Sequence, residues 1–228
     1  MSSASLELFF TFFSRLLMLL LVMPVTNAAR GLVAKWMGDD TADRQDRLTL
    51  NPIAHLDPLG SLMILLIGIG WSKPMPISFS RMKNMRRGVI MVSLAGPVTH
   101  FLYAILCYHI IAFIGYLPAS SAGRGVDSVV IILLLLAQIN VCLGVINLLP
   151  LPPMDGFQIL NQFAGPKFHN WYYSNYQRVN QMSTIIILVL FICGRVTGGL
   201  FDPLGWLINI FDFLLRLTTL WIPLVLGK

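Results

Sequence analysis

Five apolar runs, at residues 6–25, 88–117, 128–149, 184–200 and 204–226, dominate a chain of 228 residues. Each approaches the roughly 20 residues that a helix needs to cross a bilayer. Within lipid every backbone N–H and C=O must find its partner inside the protein, which makes helices the natural form for such runs. Only 11% of the residues are charged and 56% are hydrophobic, against about 25% charged in an ordinary soluble domain. There is too little polar surface to cover a water-exposed globule. The expected fold is therefore an all-α polytopic membrane protein. It is read as one structural domain, with a core at 1–183 and C-terminal membrane helices at 184–228 packed on that core.

The polar segments carry the remaining information. The net charge is +6, but the cations sit in loops beside the apolar runs, which points to orientation and away from nucleic acid. The positive-inside rule puts 30–57, 72–87 and 154–183 on the cytoplasmic side and leaves the sparsely charged 118–127 loop outside. With five crossings the N-terminus is then outside and Lys228 inside. Arg81, Lys83, Arg86 and Arg87 read first as a topology anchor and second as a site for anionic lipid headgroups. The aromatic stretch within 154–183 suits the membrane interface. Residues 58–71 form an apolar run too short to span, expected as a re-entrant segment. Trp71–Ser78 alternates with prolines and is expected as a short membrane-edge strand, with a second strand possible at Arg47–Leu50. Cys107, Cys142 and Cys193 lie in apolar runs at no metal-like spacing and read as buried thiols.

A few polar groups fall within or beside the spans. Asp155 ends a long hydrophobic stretch at a proline cluster, where a carboxylate needs a metal, a cation or water. His100 is a candidate ligand or proton relay, and more simply a hydrogen-bond partner between helices. Asn140 and Asn147 lie seven residues apart, on one helix face, as lining for a cleft or as interhelical glue. His55 and Asp57 line a polar entrance or fix the turn around Pro52 and Pro58.

Several rare strings then recur in order: Gly38-Asp39-Asp40-Thr-Ala, Arg47-Leu-Thr-Leu-Asn-Pro-Ile-Ala-His-Leu-Asp-Pro-Leu-Gly60, Gly70-Trp-Ser-Lys-Pro-Met-Pro, Ser93-Leu-Ala-Gly-Pro-Val-Thr-His100 and Asn147-Leu-Leu-Pro-Leu-Pro-Pro-Met-Asp-Gly156. Together they resemble the compact bacterial branch of the site-2 protease family, which are intramembrane zinc metalloproteases. The resemblance covers roughly residues 16–160. It implies a bacterial inner-membrane location and a His-Glu-x-x-His motif on the first core helix. In that motif two histidines one helical turn apart bind zinc while the glutamate activates water. The aspartate of the Pro-Pro-x-Asp-Gly string is the third ligand, which maps onto Asp155.

The motif is expected at residues 26–30, and this chain reads Thr26-Asn27-Ala28-Ala29-Arg30 there. Threonine is a poor zinc ligand, a guanidinium stays protonated and cannot ligate, and an asparagine cannot take a proton from water. The resemblance thus leads to a pseudoprotease with no cofactor expected, acting as a scaffold or complex subunit that binds another integral membrane protein. Arg30, on the face of the second histidine, is expected to pair with Asp155. Its alternative is to snorkel to the interface, leaving Asp155 hydrated or capping a helix. Two other functions stay open: a zinc metalloprotease with displaced ligands such as Asp155, His100 and His55, and a membrane protein that handles lipids or small molecules.

Overall fold

The computed structural model describes residues 3–68, 70–116 and 124–226. The loop expected at 118–127 lies outside the described residues up to 123, as does Lys228. Helices follow in the order α1 (Ser3–Leu17), α2 (Met23–Met37), α3 (Thr41–Arg44), α4 (Pro58–Ile67), α5 (Met85–Ile114), α6 (Arg124–Asn147), α7 (Asp155–Asn161), α8 (Pro166–Ser174), α9 (Tyr176–Val196), α10 (Pro203–Leu217) and α11 (Trp221–Leu226). Among the described residues five helical stretches are long and apolar enough to cross a membrane: 5–37, 85–114, 125–147, 176–196 and 203–223.

The first of these is one rod made of two helices. A π turn at Met18–Val22 joins α1 to α2, with the N–H of Met23 bonded to the carbonyl of Met18. Pro24 lies just beyond it and has no N–H to offer Leu20. The wider turn is the usual way a helix absorbs such a gap without breaking. Met18 and Val22, at the turn, are buried against Ala104, Cys107 and Tyr108 of α5 and against Leu136, Ala137, Val141 and Val145 of α6. Lipid is as apolar as these side chains, so close packing and small residues hold the contact together. Gly144 shows how tight it is: a Cβ there would sit 2.5 Å from Cε1 of the Phe101 ring.

The outer helices pack less closely. Within the most apolar stretch of each span, 33% or more of the residues are buried in the first three, against 11% in α9 and 6% in the last. A polar contact fastens α10 all the same. Tyr108 donates to Asp212, Arg216 Nε donates to Asp212 at 2.6 Å, and the Arg216 guanidinium lies 4.7 Å from the centre of the Tyr108 ring.

Two sequence expectations need correcting. No strand is present among the described residues. Trp71–Ser78 is extended but unpaired apart from single contacts such as Lys73 N–H to the His55 carbonyl at 2.9 Å. Pro74 and Pro76 have no N–H for a ladder, and Arg47–Leu50 forms no strand beside them. The re-entrant segment is likewise replaced by a ten-residue helix, α4, that lies outside the five spans. Asp57 caps its start by accepting from Gly60 N at 2.7 Å, and Gly68, at φ 87°, stops it. Arg15 of α1 reaches across to its end, donating to the carbonyls of Leu65 (3.0 Å) and Leu66 (3.1 Å). Those carbonyls have no partner within the helix and carry its negative pole, so a cation suits them.

Candidate functional site

The site forms where α2, α5 and α7 meet. Asp155 is the first residue of α7 and is buried. Two features deliver it there. The proline cluster after Asn147 ends α6, and Gly156 packs so tightly on the turn at Leu148 and Leu149 that a Cβ would lie 2.7 Å from the Leu149 carbonyl oxygen. Arg30, on α2, donates from Nη2 to Asp155 Oδ2 across 125 residues of sequence. The guanidinium lies directly on Gly96 of α5, where a Cβ would come within 2.7 Å of Arg30 Cζ. Gly96 is thus the floor that lets an arginine lie between the two helices.

Burial and pairing act on Asp155 in opposite directions. Burial dominates and pushes its carboxyl up to about 6, while the charge of Arg30 and its hydrogen bond pull downward. The pair therefore does not offset the whole cost of removing the carboxylate from water, as is common for buried ion pairs. Arg30 Nε and Thr26 Oγ1 are both shut off from solvent with no hydrogen-bond partner among the described residues.

The remaining candidates divide. Asn27 Nδ2 donates to Ser72 Oγ at 3.1 Å, tying α2 to the extended 70–78 segment. Asp39 holds the far end of the same segment by accepting from Ser78 N at 2.6 Å. His100 is engaged with Asn140 across α5 and α6, Nδ1 to Oδ1 at 2.9 Å. The Asn140 amide nitrogen is committed to the Leu136 carbonyl, so its oxygen accepts and the histidine carries its proton on Nδ1. Asn147 ends α6, half-buried. His55 is fully buried away from this cluster, bonded through Nε2 to the Thr49 carbonyl at 2.7 Å, and fixes the turn before α4. Sequence reasoning missed Gly96 and Ser72. The Gly-Pro pair at 96–97 was the one available signal for the first, and nothing local marks the second.

A groove of about 340 Å³ opens on the adjoining face of α2, lined by Val25, Ala28, Ala29 and Leu32 and by Leu48, Thr49 and Leu50 of the facing loop. Positions 25, 28, 29 and 32 follow helical spacing, so one stripe of α2 walls the groove.

The family model described as Peptidase family M50 matches residues 22–191. "Putative zinc metalloprotease YwhC" of Bacillus subtilis (strain 168) is 36% identical over 167 residues, covering 72% of this chain and 73% of that protein. "Putative zinc metalloprotease Rip2" of Mycolicibacterium smegmatis is 26% identical over 196 residues, covering 77% of this chain and 64% of that protein. No solved structure matches.

These names overturn the expectation that no cofactor belongs to the chain, because zinc is what such relatives imply. The side chains around Asp155 do not fit that metal. A catalytic zinc site takes about three nitrogen, sulfur or carboxylate ligands and an open position. Here one carboxylate faces a guanidinium, the Thr26 hydroxyl one turn back on α2 is a poor zinc ligand, and His100 is turned to Asn140. No group of three or more histidine, cysteine, aspartate or glutamate side chains suited to a metal occurs among the described residues. With its family model matched across most of its length and five spans in its fold, the chain is an integral membrane protein belonging to peptidase family M50, the site-2 protease family.

Proposed function

We propose that this chain is a pseudoprotease of its family, a membrane scaffold that holds a transmembrane helix of another protein and does not hydrolyse it. The observation that carries this reading is the Arg30–Asp155 ion pair. A guanidinium occupies the position from which the family's second histidine would reach the metal, and it engages the one remaining ligand-type carboxylate. Asn27 can hydrogen-bond water but has no basic electron pair to accept its proton. The groove beside it is apolar except for Thr49 and is floored by Ala28 and Ala29, the small residues that let a second helix approach closely in lipid. In this reading residues 1–183 carry the groove, and 184–228 pack on them within one structural domain.

The test is reconstitution with transmembrane substrates in proteoliposomes. The wild-type chain is expected to leave them intact, while the triple variant Thr26→His, Asn27→Glu, Arg30→His gains zinc-dependent cleavage. Leu32→Trp, which fills the groove, is expected to abolish co-purification of the partner helix. The names of the relatives favour a second reading, zinc-dependent hydrolysis by ligands arranged differently from the family motif. Wild-type cleavage that is stopped both by a chelator and by Asp155→Ala would replace the scaffold reading with that one.

A further inference from the structure

One surface is independent of the ion pair and of any hydrolysis. Residues 148–175 lie between the end of one span at Asn147 and the start of the next at Tyr176. Connectivity therefore confines them to one membrane face. α8, at nine residues, is far too short to cross. Its Tyr172 is buried and rests on Phe157, with ring centres 4.9 Å apart. Phe163, Phe168, Trp171 and Tyr173 point outward, with Trp171 54% and Tyr173 66% exposed. The turn leading into α5 lies at the same end of the bundle, since Arg86 stacks over the Phe163 ring at 4.6 Å.

Charge completes the surface. Acidic residues are absent from 58–126 and from 156–201. Lys83, Arg86, Arg87, Lys167 and Arg178 are all exposed, and none forms an ion pair among the described residues. Lys35, Arg44 and Arg81, nearby in the fold, differ in that Asp43 and Asp40 pair with them. Exposed aromatic rings on a segment bounded by two span ends, flanked by cations without acidic partners, suit an anionic lipid layer.

We propose that the α8 aromatic face, together with the Lys83–Arg87 turn, binds the headgroups of anionic phospholipids in the adjoining leaflet. An acidic protein would have to reach the same cations from the water side, past rings already at the bilayer interface. The surface is continuous with the membrane itself, so lipid is the occupant.

The test uses the full chain in mild detergent with mixed micelles of phosphatidylglycerol and phosphatidylcholine, counting bound lipids by native mass spectrometry. The wild type is expected to retain phosphatidylglycerol in preference. The variant Lys83→Gln, Arg86→Gln, Arg87→Gln should weaken that retention about fivefold per cation removed. The variant Lys35→Gln, Arg44→Gln, which removes the same kind of charge where it is acid-paired, should leave it unchanged. Raising salt from about 0.05 M to about 0.5 M should erase the preference in the wild type, whatever the fate of the variants. Equal retention of the two lipids, an equal loss in the Lys35/Arg44 variant, or a preference that survives high salt would overturn the proposal. Competition by excess inorganic phosphate would reduce the surface to a phosphate site, and a co-purifying acidic protein released by the same triple variant would assign it to protein.

Discussion

Replacing Arg30 with leucine and Asp155 with asparagine, singly and together, separates what each half of the ion pair contributes. The Asp155 side chain is 11% exposed and that of Arg30 25%. With Arg30 present, burial already holds the Asp155 carboxyl at about 6 against an ordinary 3.8, a difference of about 3 kcal/mol unfavourable to the ionised form. Arg30→Leu removes the only neighbour that offsets this, and is expected to destabilise the fold by about 3–5 kcal/mol. Asp155→Asn should cost less, about 1–3 kcal/mol, because a partly exposed arginine can swing its head to the interface. The double variant keeps no charge in the site and should fall within about 1 kcal/mol of the wild type. The interaction between the two substitutions is then larger than about 2 kcal/mol. Reversible unfolding in mixed detergent micelles with increasing dodecyl sulfate, followed by tryptophan fluorescence, measures all four stabilities. Effects that add to within about 0.5 kcal/mol would refute the reasoning, since groups that do not interact behave that way.

Three other expectations follow from the same geometry. Gly96→Ala drives a methyl group into the Arg30 guanidinium and should cost about 1–3 kcal/mol, while in an Arg30→Ala background it should be nearly neutral; the same unfolding assay compares the two. The folded carboxyl of Asp155 titrates above its unfolded value, so the folded chain binds the extra proton between about pH 4 and 6. The stability contribution of this group is fully present below about pH 4 and is lost as pH rises through about 6, and Asp155→Asn should flatten that dependence in melting curves taken across this range. Arg15→Met removes the donors that hold the end of α4 and should raise amide exchange at residues 63–68 tenfold or so, equivalent to about 1.4 kcal/mol of local opening, while leaving α5 and α6 protected.

Legibility in the sequence depended on range. The five spans were readable because hydropathy sums over consecutive residues. The pattern of Trp71–Ser78 favours a strand because extended preference is local, whereas a ladder needs a partner in register, and residues 47–55 make only single contacts with it. The 58–71 run shows the same limit, because length alone does not distinguish a dipping loop from a short helix; the contact from Arg15, about fifty residues earlier, holds α4 in place. His100 was readable as polar and embedded, but its commitment to Asn140 depends on how α5 and α6 are rotated against each other.

By itself the sequence determined the membrane class, the number of apolar spans, the family strings and the loss of the His-Glu-x-x-His letters at 26–30. These are properties of short windows, where residue type and spacing suffice. Only the tertiary structure decided that Arg30 meets Asp155, that Gly96 makes room for the guanidinium, and that Arg86 joins two basic-aromatic segments through Phe163. Each of those facts depends on the register between helices far apart in the chain. That register is set by the close packing of Met18, Ala104, Ala137 and Gly144, residues that carry no chemistry of their own.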